Sequence, residues 1–148
     1  MKLPEIEISI KYKGTKKSEL KSIKSSADIY AILTELHNAD TVDWIETMIL
    51  ICMNRQNKII GYYKVSSGGT TATICDPKVI FTVALNCAGT QAIILSHNHP
   101  SGNLTPSASD KELTQKIKLG AALLDMVLID HVIYTDNGYY SFADDGNL

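Results

Sequence analysis

His97 and His99 stand two positions apart at the end of an apolar run, Gln91–Ser96, and Asp110 follows after a loop that contains Pro100, Gly102 and Asn103. In extended chain, residues i and i+2 point to the same side, so both imidazoles face one space. Adjacent imidazoles in an apolar sheet need compensation, since an uncompensated buried polar group costs roughly 2 kcal/mol or more. A divalent cation between them supplies it. Asp110 falls in the first turn of a predicted helix, where the helix dipole favours a carboxylate. A loop of that composition can fold the helix start back over the strand end. Two nitrogens, one oxygen and an open fourth position form the donor set of a catalytic rather than a structural zinc. Such borderline ligands suit Zn²⁺ best, with Fe²⁺, Co²⁺ or Mn²⁺ as substitutes.

A metal of this kind activates water and polarises a carbonyl. Hydrolysis also needs a base for the water's proton and an acid for the leaving nitrogen, and one carboxylate near the water can do both. Glu46, at the mouth of the doubly apolar stretch Thr47–Met53, is the candidate; Asp43, three residues earlier, is its competitor. Ser107 could donate a hydrogen bond to a developing oxyanion. The Ser107–Asp110 spacing is also that of a helix capping box, which leaves Asp110 an oxygen for each task. A zinc deaminase is excluded, because it requires His-x-Glu with Pro-Cys-x-x-Cys. Here 22 residues separate Cys52 from Cys75, and 11 separate Cys75 from Cys87. The consecutive letters His97-Asn98-His99 are likewise not the dispersed HNH nuclease signature.

The elements that must position these groups follow from periodicity. Ile6, Ile8 and Ile10 alternate with polar residues and predict a half-buried strand. Ser25 or Ser26 caps a helix whose stripe is Ile29, Ile32, Leu33 and Leu36. Thr47–Met53 and Lys58–Val65 flank a polar turn and predict a hairpin. A short strand is expected over Thr70–Ile74. Asp76-Pro77 opens a second helix that Gly89 stops. Gln91–Ser96 reads as a strand deep in a sheet. A third helix begins near Pro106 or Ser107, with Leu113, Ile117, Ala121 and Leu124 buried. Met126–Tyr134 and Tyr139–Phe142 are strands around the turn signal Asn137-Gly138. Alternation puts His131 on the side of Val127, Ile129 and Ile133, as a core histidine or a neighbour of the site. Trp44 and the pairs Tyr62-Tyr63 and Tyr139-Tyr140 read as packing or edge residues. Hairpins mixed with strand–helix–strand crossovers predict a mixed sheet with helices on both faces, a three-layer α-β-α sandwich of the α/β class.

The 148 residues are 45% hydrophobic and 20% charged, with net charge −2. That composition is globular, excludes a disordered tail and gives no general attraction to nucleic acid. No apolar run approaches the roughly 18 residues of a membrane span. The start, MKLPEIEISIKYKG, has no signal-peptide core, and Cys52, Cys75 and Cys87 read as reduced thiols; both point to the cytoplasm. Lys2, Lys11, Lys13, Lys16, Lys17, Lys21 and Lys24 are half of the 14 basic residues, as on a guarded sheet edge. Residues 1–24 are thus read as a strand and a Lys-rich loop ahead of one domain, 25–148.

His-x-His, seven residues, Ser, two residues, Asp (His97, His99, Ser107, Asp110), with a glutamate on an earlier strand, resembles the JAMM motif of MPN+ metalloproteases. The wider string HNHPSGNLTPSASD, Thr114 and Leu128-Ile129-Asp130-His131 look like the bacterial RadC-like branch. Asp76-Pro77-Lys78 departs from the family's Asp-Pro-Arg. The resemblance implies a cytidine-deaminase-like sandwich, Zn²⁺ on His97, His99 and Asp110, Glu46 as general base and Ser107 as oxyanion donor. The expected activity is a zinc metallopeptidase that cleaves a peptide or isopeptide bond of a peptide or protein substrate. The alternative is a DNA-associated protein with a repair role and little or no peptidase activity, supported by the lysine-rich N-terminus and the family label. A third reading is a metal-stabilised interaction module without turnover. A homo-oligomer paired through an edge strand is compatible with each.

Overall fold

The two hydrophobic periods resolve into helices and strands in a computed structural model that describes residues 3–13, 21–68 and 75–148. The first helix, α1 (Ser26–Leu36), starts at a capping box in which Ser25 Oγ accepts from Asp28 N–H and Asp28 accepts from Ser25 N–H. Then come β1 (Thr47–Met53), β2 (Ile59–Ser67), α2 (Pro77–Asn86), β3 (Ala92–Asn98), α3 (Ala108–Leu123), β4 (Val127–Thr135) and β5 (Gly138–Ser141). Asp76 caps α2 and Pro77 opens it, as its sequence predicts. The strands form one mixed sheet in the order β2-β1-β3-β4-β5, antiparallel except for the β3–β4 pair, whose crossover is α3.

Alternation along the central strands divides the core into two. Ile49, Ile51, Met53, Ala92, Ile94, Val132 and Tyr134 meet Ile29, Ile32 and Leu33 of α1. Met48, Leu50, Cys52, Ile93, Leu95 and Leu128 meet Ile80 and Ala84 of α2 and Ile117 and Ala121 of α3. Both faces of the sheet are therefore helix-covered, and β1 and β3 are almost wholly buried. Each large aliphatic side chain so enclosed contributes roughly 1.5–3 kcal/mol. Cys52 and Cys87 are buried thiols. Among the described residues no helix is long and apolar enough to cross a membrane.

Two expectations change, and one falls where the structure is not described. Residues 3–13 form no strand: Ile6 is 85% and Ile8 65% exposed. Period-two alternation alone does not make a strand, because the backbone groups need a neighbouring strand to pair with. The strand expected over Thr70–Ile74 lies outside the described residues, as do Lys2, Lys16 and Lys17. In β4, Leu128 pairs with Ile93 but Asp130 pairs with Ile94, so Ile129 is an extra residue in the ladder. A bulge of this kind reverses the alternation beyond it. His131 consequently shares the α3 face with Leu128, and Ile129 packs on the α1 face instead.

Two polar groups hold the sheet end that carries the site. His37, after α1, is buried, stacks on Tyr134 with centroids 4.6 Å apart and lies 3.5 Å from Ser96 Oγ. Asn98, 1% exposed, donates through Nδ2 to the carbonyls of Val42 (2.7 Å) and Ile45 (2.9 Å) and accepts from Thr47 N–H (2.8 Å). It thus fastens the 42–47 loop, which bears Glu46, to the strand that bears both histidines. Asn98→Ala leaves those backbone groups short of partners, a loss of about 3 kcal/mol, seen as a fall in Tm of roughly 6–12 °C.

Burial, helped by the charges of Lys64 and His97, lowers the pKa of His37 from 6.5 to about 4. The unfolded chain takes up a proton near 6.5 that the folded chain refuses until about 4. This contribution is intact above the upper value and is lost as pH falls through the interval, by up to about 3 kcal/mol. His37→Phe should flatten the urea-midpoint profile over that window, and an unchanged slope would contradict the assignment.

Candidate metal centre

β3 ends inside the sheet, so His97 is completely buried, while His99, just past the strand, keeps 17% of its side chain exposed. Both face α2 and α3, as strand parity predicts. The 99–105 loop turns back through Gly102 at φ +74, and Asn103 Oδ1 accepts from Thr105 N–H. The turn sets Asn103 C=O 2.6 Å from His99 Nδ1 and delivers the start of α3 over the strand end. Asp110 then lies with Oδ1 3.2 Å from His97 Nε2 and Oδ2 3.5 Å from His99 Nε2. The two Nε2 atoms are 2.9 Å apart. Among the described residues, these three form a group whose ligand atoms all lie within 4.8 Å of one another.

The donor set fits a small cation. Ligands at the bond lengths of tetrahedral zinc are about 3.4 Å from one another, and the three observed separations bracket that value. Proton assignment points the same way. A carbonyl only accepts, so His99 carries its neutral-state proton on Nδ1 and turns the Nε2 lone pair inward. Burial pushes the Asp110 carboxyl up, yet when the imidazoles are protonated their hydrogen bonds prevail and hold it far below the usual carboxylate range. His99 is held above the ordinary histidine value, first by its bond to Asp110 and to a smaller extent by the charge of Glu46. The site is thus a concentration of acceptors that requires positive charge, a proton or a metal ion.

Glu46 is half-buried and two residues before Met48, which lies opposite His97 in the β1–β3 ladder. Its charge reaches His99, and its carboxylate is outside the three-residue ligand group. Asp43, the competing carboxylate, is exposed. Ser107 caps α3: its Oγ accepts from Asp110 N–H (3.1 Å) and touches Ser109 Oγ (2.9 Å), and its N–H donates to Asp110 Oδ2 (2.8 Å). The capping box and the ligand group therefore share one carboxylate. Trp44, 59% exposed, donates through Nε1 to Asp40 C=O and lies in the loop rather than in the core.

Sequence reasoning gave no role to Asn98 or Asn103, and named Thr114 only as part of the family resemblance. Asn98 had a readable signal, as a lone amide between two candidate ligands at the end of an apolar strand. Thr114 had one too, a single helical turn beyond Asp110. Asn103 acts through its backbone carbonyl, which any residue type could provide.

The sequence profile described as RadC-like JAB domain matches residues 23–147. A UPF0758 protein of Flavobacterium johnsoniae is 40% identical over 128 residues, which cover 86% of this chain and 54% of that protein. UPF0758 protein FN0909 of Fusobacterium nucleatum is 35% identical over 145 residues, covering 97% and 61%. A UPF0758 protein of Thermotoga maritima is 31% identical over 126 residues. The chain spans about half the length of most such relatives, and their names state no activity. A match across nearly the whole chain, over a helix-covered mixed sheet and a His-His-Asp group, leads to one conclusion: the chain belongs to the RadC-like JAB domain family.

Proposed function

We propose that this domain is a zinc-dependent hydrolase that cleaves a peptide or isopeptide bond with activated water. The observation that carries the reading is the convergence of His97, His99 and Asp110, with a carboxylate nearby that is not a member of the group. His97, His99 and Asp110 would hold the ion, and zinc bound there supplies a Lewis acid that acidifies water and polarises a carbonyl. Glu46 takes the proton of the attacking water on its carboxylate and passes it to the leaving nitrogen. Asn98 keeps Glu46 over the strand end through its bonds to Val42, Ile45 and Thr47. Ser107 Oγ already accepts from Asp110 N–H. With Ser109 donating in their mutual contact, the Ser107 hydroxyl proton is directed to the oxyanion that forms at the scissile carbonyl. Asp110 is oriented by the same capping box, so cap and ligand act together.

Glu46→Gln should retain stoichiometric zinc and lose roughly 10²–10⁴ of turnover on a peptide or isopeptide substrate panel. Near-wild-type hydrolysis by this variant would remove Glu46 as the base. His97→Ala and His99→Ala should each purify without stoichiometric zinc, as read by elemental analysis; full zinc in both would overturn the ligand set. Chelation of the wild type should lower Tm by mass action. Duplex-DNA binding that falls steeply with salt, combined with no hydrolysis by zinc-loaded protein, would favour the DNA-associated reading instead.

A further inference from the structure

His131 is a fully buried imidazole that the proposed chemistry does not use, and both of its nitrogens are committed to the site. Its Nε2 lies 2.9 Å from His97 Nδ1 and its Nδ1 lies 2.6 Å from Thr114 Oγ1. Thr114 Oγ1 is in turn 2.6 Å from the carbonyl of Asp110. The chain of contacts therefore begins on one candidate ligand and ends on another.

The protons along it can be placed one by one. The Asp110 carbonyl only accepts, and two oxygens this close require a proton between them, so the Thr114 hydroxyl donates to it. Its single proton is then used, and Thr114 Oγ1 can only accept from His131 Nδ1–H. The His131 ring is completely buried and its two nitrogens meet only His97 and Thr114, with no carboxylate to offset a charge, so the ring is neutral and its Nε2 is an acceptor. That acceptor requires His97 to carry its proton on Nδ1. The lone pair of His97 Nε2 is left facing His99 and Asp110.

We propose that Thr114 and His131 are positioning residues that fix the metal-binding tautomer of His97. This rests on the reading of His97, His99 and Asp110 as a metal site. Phe142 supports the arrangement by stacking on the His131 ring at 5.0 Å and 9°, and the β4 bulge brings His131 to the α3 face in the first place. His99 needs no such device, because its Nδ1 meets the backbone carbonyl of Asn103 directly. A carbonyl accepts in every state, whereas a histidine accepts at Nε2 only in the tautomer that Thr114 selects. The hydroxyl of a residue that touches no ligand side chain thus governs metal affinity.

The test compares Thr114→Val, which keeps shape and removes the hydroxyl, with Thr114→Ser, which keeps the hydroxyl. Zinc dissociation constants by chelator competition should weaken roughly 10–100-fold in Thr114→Val and recover to within a few-fold of wild type in Thr114→Ser. His131→Leu should weaken binding at least as much as Thr114→Val, with folding checked by far-UV circular dichroism. The second readout is long-range ¹⁵N–¹H NMR of the metal-free full chain, well above the ordinary histidine pKa. Wild type should show His97 and His131 protonated at Nδ1, and Thr114→Val should show mixed tautomers. Zinc affinity unchanged in folded Thr114→Val, or Nε2 protonation of His97 in wild type, would overturn the relay. If wild type binds no zinc, the metal reading fails, and the tautomer spectrum still decides for or against the relay.

Discussion

Two imidazole lone pairs and a carboxylate held at the separations of His97, His99 and Asp110 repel one another unless positive charge lies between them. Coulomb energy at such range is large wherever water is excluded, and His97 is buried completely. An apolar side chain could fill the same volume without this cost. The three acceptors therefore call for positive charge, which a proton or a metal ion could supply. The surrounding structure is accordingly arranged to prevent the three groups from relaxing apart.

That prevention is a matter of topology. β3 is central, so its end cannot fray without breaking ladders on both sides. The parallel β3–β4 pair obliges the chain to return through a helix, and the start of that helix is where Asp110 sits. The same crossover sets Thr114 against β4 and hence against His131. Asn98 contributes from the opposite face by tying the Glu46 loop to β3. One strand end therefore gathers residues from β1, β3, α3 and β4, and each buried polar atom among these groups has a partner, as buried groups must.

The three-residue group was legible in the sequence because its members obey short-range rules. His97 and His99 follow strand parity, and the Ser107–Asp110 spacing follows helix-cap geometry. Helix starts were legible for the same reason, since Ser25, Asp76 and Ser107 each satisfy backbone N–H groups within three residues. The extent of β3 was not, because His97 and Asn98 look polar in isolation and become strand only through their neighbours. The β4 bulge was not legible either. Hydrophobic alternation across Met126–Tyr134 is compatible with either register, and the choice depends on how Ile93 and Ile94 pair across the sheet. The isoleucines of residues 6–10 show the converse error, a sound local pattern that the described fold does not take up as a strand.

The capping box and the metal-site reading of Ser107 and Asp110 reinforce each other rather than compete. Asp110 accepts from Ser107 N–H through Oδ2, while Oδ1 is the oxygen nearer His97. A cap of this type stabilises the helix by about 1 kcal/mol whatever else the carboxylate does. The side chain is therefore oriented by the fold, and a cation does not have to restrict its rotamers on binding, a cost that would otherwise subtract from affinity. The dipole of α3 would repel a bare cation at the helix start, but the carboxylate stands between them and reverses the local sign. An aspartate in the third position of a capped helix is thus suited to the ligand role: Oδ2 accepts from the helix-start N–H while lying 3.5 Å from His99 Nε2, and Oδ1 faces His97.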